Sequence, residues 1–401
     1  MQIPLPELTS LDNILPTEPL LMMGAGPVPI PERVAKANSI VINHLGDTMA
    51  KIIEQVKQMS RYVFQTQSKW IMGVAGPGSA AMEMAITNLI WQNTKVLSIS
   101  NGFFSSRLAE MARRVGADVV VYQVEQQQTA DLESIKSYIE THKPEVITLV
   151  QGETSNTVCN KNLREIAELA SQYQCYVIVD AVCTLSTMPL QMDEWKIDAV
   201  ITGGQKGLSS IPGVSLIAFS ERAYQRIHSR PNDCPQWCLD ARLAEKFWHQ
   251  SSYHYTAPVS GILAIHEALA LICKETLENR FARHLRCSLA LQRGIEALGL
   301  KLFVPAQARL NSVIGIQVPN GIAQNALCQH ISNRYRVEIA GSFGLDIVRI
   351  GQMGEQSRAH HLFRTLHAFG CAIRDLGGNV DLPTGMAELE RGLQNNLSDA
   401  E

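Results

Sequence analysis

From residue 95 onward, short apolar runs alternate with stretches whose apolar positions recur at helical spacing. Strand-like runs fall at 95–100, 118–124, 146–150 and 176–180, with helical patterns at 106–115, 132–142 and 163–173 between them. Runs of four to eight apolar residues separated by amphipathic helices predict βαβ units and a mainly parallel sheet. A further run at 214–219 would close that sheet. Upstream, 51–64 has helical spacing, and a glycine-rich turn, Gly76-Pro77-Gly78-Ser79, opens the apolar helix pattern 80–90. Downstream, Pro258 opens a long apolar helix to about 277.

Beyond that helix the pattern changes. Helices at 278–298, 322–335 and 357–375 are interleaved with strands near 302 and at 312–318, 337–340 and 347–350, which suggests a smaller α+β domain. The stretch 229–256 reads as irregular and 383–396 as a short helix. Pro4, Pro6, Pro16 and Pro19 deny residues 1–20 a helix, so they read as an extended arm suited to a partner subunit. The expected organisation is an arm (1–20), a large α/β domain (21–268), a small α+β domain (269–382) and a tail helix (383–401).

A chain of 401 residues is long for one compact core, in keeping with two domains. Charged residues make up 18% and the net charge is -3, without a basic cluster, so neither nucleic acid nor an anionic membrane surface is an expected partner. The first nineteen residues do not read as a signal peptide, and no run reaches the roughly eighteen apolar residues of a membrane span. Nine cysteines without CxxC pairing point to a reduced, cytoplasmic compartment. Cys234 and Cys238 lack the companions of a zinc site, and no metal is expected.

Polar residues follow the ends of the strand-like runs: Asn101, Glu153 to Ser155, Asp180, and Gln205 with Lys206. In open α/β sheets ligands bind beyond the carboxyl ends of the strands, so these residues should share a cleft. Asp180 ends one buried strand, and Lys206 follows a second 26 residues later. A pyridoxal phosphate site needs that pair: an amine to hold the aldehyde and a carboxylate to face the pyridinium nitrogen. The turn at Gly78 and Ser79 presents free N–H groups to an anion such as the cofactor phosphate.

Seven stretches then occur in the order found in class V, fold type I aminotransferases, which the chain resembles from about residue 21 to about 373. They are Gly76 to Ala80, Asn101 to Phe104, Gly152 to Ser155, Val179 to Val182, Gly203 to Lys206, Tyr253 to Thr256, and Val348 to Gly351. The alanine/serine–glyoxylate branch is the most similar. The resemblance implies a seven-stranded, mainly parallel sheet sandwiched by helices, a smaller C-terminal domain, and pyridoxal 5'-phosphate on Lys206.

By the same resemblance Phe104, where the family often has Trp, stacks on the cofactor ring, with Phe103 as the neighbour open to confusion with it. Ser155 lies beside the phenolic oxygen. Gly78, Ser79, Ala80, Val182 and Gln205 complete the cofactor site. Tyr253 and Thr256 reach the phosphate of the other subunit of a homodimer. Arg349 takes the substrate carboxylate, with Gly26, Ser155 and His44 lining the substrate side.

No second arginine is assignable to a side-chain carboxylate, which favours alanine or serine as donor and glyoxylate or pyruvate as acceptor. Ureidoglycine–glyoxylate and pyridoxamine–pyruvate enzymes are alternatives, as are a cysteine desulfurase and a silent cofactor-binding protein. His44 and Tyr253 stand where the ureidoglycine branch has amides, and no cysteine aligns with the desulfurase thiol.

Overall fold

The computed structural model describes residues 3–394. Its centre is a seven-stranded sheet. The strands are β1 (Ile71–Ala75), β2 (Lys95–Ser100), β3 (Asp118–Gln123), β4 (Val146–Val150), β5 (Tyr176–Asp180), β6 (Ala199–Ile201) and β7 (Val214–Phe219), in the spatial order β1-β7-β6-β5-β4-β2-β3. β7 runs antiparallel to both neighbours; the other pairings are parallel. Every residue of β4 and β7 is buried. Successive side chains point to opposite faces, so helices must cover both sides of these strands.

Register sets up the site. Asp180, the last residue of β5, lies opposite Val150 of β4 and Ile201 of β6. Parallel neighbours bring their carboxyl ends to one edge, so the chain leaving β6 delivers Lys206 beside Asp180. Two helices open at that edge. Gly78–Leu89 is buried along most of its length, and Phe103–Arg114 buries Ser105, Leu108, Ala109 and Ala112, an i, i+3, i+4, i+7 stripe.

The small domain packs helices Leu277–Ala297, Gln324–Tyr335, Ala359–Asp375 and Leu382–Gln394 with an antiparallel sheet of β8 (Val313–Gln317), β9 (Ala340–Gly341) and β10 (Ile347–Gly351), ordered β8-β10-β9.

Several elements differ from expectation. The arm carries one helical turn, Leu11–Ile14, in the proline-free interval between Pro6 and Pro16. The interval 229–256 contains helix Ala241–Trp248, whose first turn is capped by the Asp240 carboxylate and whose Ala241, Ala244, Phe247 and Trp248 are buried. The run 337–340 divides. Val337–Glu338 pairs in parallel with Leu21–Met22, whereas Ala340–Gly341 joins β10. Consequently Leu21 and Met23 lie in the small-domain core rather than with the large domain. Near 302 there is a single bridge, Leu302 to Ile316, instead of a strand. The tail helix is described from Leu382 to Gln394, and the expected residues past it lie outside the described residues.

Candidate active site

A cavity of about 170 Å³ opens at the carboxyl edge of β4 and β5. Asp180, Lys206, Gly78, Ser79, Phe104, Val182 and Gln205 all line it, with Met82, Arg107, Val150, Gly152, Thr154 and Cys183. Asp180 is 4% exposed and accepts one hydrogen bond, from the Val182 N–H at 2.8 Å. Burial pushes its carboxyl up to about 7. A buried carboxylate with so little compensation calls for a cation beside it.

The Lys206 ammonium donates to the Ala25 carbonyl. Burial is the largest cause holding the Lys206 pKa below its ordinary value, and Arg349 adds to it. A desolvated amine of this kind carries its free-base form closer to neutral pH, as a nucleophile requires. Gly26 makes room for it: with φ at +96°, a Cβ there would stand 2.6 Å from Lys206 Nζ.

The opposite wall is built for an anion. Helix Gly78–Leu89 follows Pro77 without a side-chain cap, leaving its first N–H groups to the cavity. A Cβ on Gly78 would meet Val182 Cγ2 at 2.8 Å, so only glycine lets the helix start approach so closely. Among the described residues the buried Gln205 Oε1 has no hydrogen-bond partner. Ala80 does not line the cavity, and its N–H is already donated to the Pro77 carbonyl.

Phe104 and Phe103 separate cleanly. Phe104 faces the cavity; Phe103 points away and is 47% exposed. Ser155 also faces away. Its hydroxyl donates to Glu153 Oε1 at 2.5 Å and accepts from the Phe103 N–H at 3.0 Å.

Arg349 rises from β10 beside the cavity, buried, donating through Nε to the Gly341 carbonyl and through Nη1 to the Thr154 carbonyl, at 2.7 and 2.6 Å. Among the described residues Nη2 has no partner. His44, Tyr253 and Thr256 do not line the cavity of the single chain. Tyr253 is 56% exposed, and the His44 ring lies 6.0 Å from it.

Two residues take roles that the sequence reading did not assign: Arg107 had none, and Glu153 was expected only to share the cleft, which it does not line. Arg107 donates to Ser79 Oγ at 2.8 Å and sits 5.0 Å from the Phe104 ring centre. Its signal was its i, i+3 spacing from Phe104 on one helix face. Glu153, fully buried, accepts from the Phe104 and Ser105 N–H groups at 3.1 and 2.9 Å and thereby anchors the start of helix Phe103–Arg114. Its signal was a carboxylate following a fully apolar strand.

Cys183 lines the cavity but donates to the Gly152 carbonyl at 3.1 Å, and burial pushes its thiol far up. It is not a reactive thiolate. No cluster of metal-ligating side chains occurs among the described residues.

The sequence matches the family model for aminotransferase class-V over residues 32–348. It is 34% identical to an alanine–glyoxylate aminotransferase of Drosophila melanogaster over 95% of this chain and 99% of that one. Among solved structures it resembles a ureidoglycine–glyoxylate aminotransferase from Bacillus subtilis, with a TM-score of 0.92 and 30% identity over 95% of this chain and all of that one. It also resembles an alanine–glyoxylate aminotransferase from Nostoc sp., with a TM-score of 0.87 and 31% identity over 92% of this chain and all of that one. By sequence, fold and arrangement of the cavity, this chain belongs to the class-V aminotransferase family.

Proposed function

We propose that the chain is a pyridoxal 5'-phosphate-dependent aminotransferase that moves the amino group of alanine or serine to glyoxylate or pyruvate. The observation that carries the reading is that one cavity is lined by Asp180, a buried carboxylate with no ion-pair partner among the described residues, and Lys206, a partly buried amine of lowered pKa. The residues fit the cofactor at three points. Asp180 suits a protonated ring nitrogen, Phe104 the ring face, and the uncapped helix start a phosphate. When bound, that cofactor supplies an electron sink for the carbanion formed at the donor Cα.

The chain's own residues do the rest. Lys206 Nζ would hold the cofactor aldehyde, and the amine, once free, would take the proton from the donor Cα as general base. Arg349 Nη2 is free to receive the donor carboxylate and so fixes the Cα within reach of that amine. Arg107 is turned to Ser79 at the anion end, which leaves no cation for a second, side-chain carboxylate among the described residues lining the cavity. That supports a small neutral donor, in line with the named activity of the Drosophila relative.

The likeness to the Bacillus subtilis enzyme favours a second reading, ureidoglycine as donor. His44 and Tyr253 stand in place of the amides that the resemblance associates with that branch, and count against it.

We further propose a homodimer in the cytoplasm. Ile3, Leu5 and Leu8 of the arm, with Val41 and Tyr253, are largely exposed in the single chain, as a face awaiting a partner would be. All nine cysteines are free, as a reducing compartment keeps them. Single-turnover assays with alanine, serine and ureidoglycine, each followed by glyoxylate, distinguish the donors. Sedimentation with and without residues 1–20 tests the dimer, which should weaken when the arm is removed.

A further inference from the structure

Phe103 and Phe343 are 47% and 61% exposed, yet their rings stack with centres 4.9 Å apart and planes 26° apart. Phe103 opens helix Phe103–Arg114 of the large domain; Phe343 sits in the loop between β9 and β10 of the small domain. The contact therefore bridges the domains. Both leaves are fastened to one residue, since the Phe103 N–H donates to Ser155 Oγ and the Ser342 hydroxyl donates to the Ser155 carbonyl.

The neighbours of these residues turn the other way. Phe104 and Thr154 face the cavity of Lys206, whereas Phe103, Phe343 and Ser155 face an outer cavity of about 400 Å³ that Asn101, Gln123 and Asn156 also line. The stack lines the outer cavity, and Phe103 and Ser155 each stand one residue along the chain from the Phe104 and Thr154 that line the inner one. Cations flank it on both sides: the Arg107 guanidinium is 5.1 Å from the Phe103 ring centre, and that of Arg349 is 5.9 Å from the Phe343 ring centre.

We propose that Phe103 and Phe343 form an aromatic gate, one leaf on each domain, that limits the size of the donor side chain. This rests on the transaminase reading, in which Arg349 takes the donor carboxylate. A carboxylate held there lies close to the Phe343 ring, so a side chain leaving the cavity meets the stack. Offset-stacked rings beside cations make a contact firm enough to exclude a bulky group and weak enough to part when the domains move. The polar outer cavity would then be the solvated approach.

The test compares wild type with F103A, F343A and the double variant in two readouts. The first is the ratio of kcat/KM for L-phenylalanine to that for L-alanine. The second is the ratio of binding constants for 3-phenylpropionate and propionate, followed through the visible spectrum without turnover. Both ratios should rise about tenfold or more in the double variant, while F343Y, which keeps the stack, leaves them at the wild-type level. Unchanged or falling ratios overturn the gate. If wild type fails to turn over any amino acid, the transaminase reading falls, and the binding ratio by itself still decides the gate.

Discussion

Arg280 Nη2 donates to the carbonyl of Gly207 over 2.7 Å, so the residue directly after Lys206 is held by a buried guanidinium from the first helix of the small domain. The same side chain donates to the Ser186 carbonyl and to Glu275. Despite burial, Arg283 and Arg280 hold the Glu275 carboxyl down at about 2. Replacing Arg280 by Met leaves Glu275 short of a partner and frees the Lys206 loop. Breaking a buried pair costs about 3–5 kcal/mol. Denaturant unfolding should show a loss of that order, with faster cofactor release on dilution; wild-type stability and retention would remove Arg280 from this role.

Asp180 gives a pH dependence whose sign is fixed. Burial raises its carboxyl from 3.8 to about 7 in the cofactor-free chain, so between about pH 4 and 7 the folded state binds the proton that the unfolded state has released. Stability therefore falls as pH rises through that window. D180N carries no such proton. The Tm of cofactor-free wild type minus that of D180N should decline from pH 4 to 7 and then level off, and saturating cofactor should shrink the decline. A pH-independent difference would contradict the buried, uncompensated carboxylate.

Glu153 supports the site from behind Phe104. Substitution by Ala leaves the Phe104 and Ser105 N–H groups and the Ser155 hydroxyl without their acceptor. Loss of such a cap with buried donors left unpaired costs about 2 kcal/mol. Urea titration should show that loss, and weaker cofactor retention should accompany it as Phe104 shifts. Full stability in E153A would mean that water replaces the carboxylate at no cost.

Gly26 is the most local test of the Lys206 setting. An alanine there meets Lys206 Nζ and must adopt φ of +96°. G26A should fold, since the clash is with a flexible side chain, but should retain cofactor at least tenfold less firmly. Equal retention in an equilibrium dialysis assay would show that the amine sits elsewhere.

Most of the sheet was legible in the sequence because β2, β4, β5 and β7 are short apolar runs between amphipathic helices, and their limits follow from burial on both faces. Asp180 and Lys206 were legible for a related reason, since polar residues ending such strands point to the ligand edge. What escaped depended on partners distant in sequence. Leu21–Met22 joins the small domain only because Val337–Glu338 offers a free edge, and nothing local in either stretch encodes that pairing. Arg107 takes a role only once its helix is placed against Ser79, 28 residues earlier in the chain. Glu153 lies within a recognised motif, yet its function as an anchor depends on a helix start 48 residues earlier. Phe103 and Phe104 differ by one position, and only the helix rotation decides which meets the cavity.

The most direct measurement of the central claim is the visible spectrum of the purified protein with pyridoxal phosphate, recorded before L-alanine, after it, and after glyoxylate, with Lys206→Ala in parallel. The account predicts a visible band in wild type that alanine bleaches and glyoxylate restores, and no such cycle in the Lys206 variant. A wild-type protein that acquires no band with excess cofactor would contradict the pairing of Lys206 and Asp180 as a cofactor site.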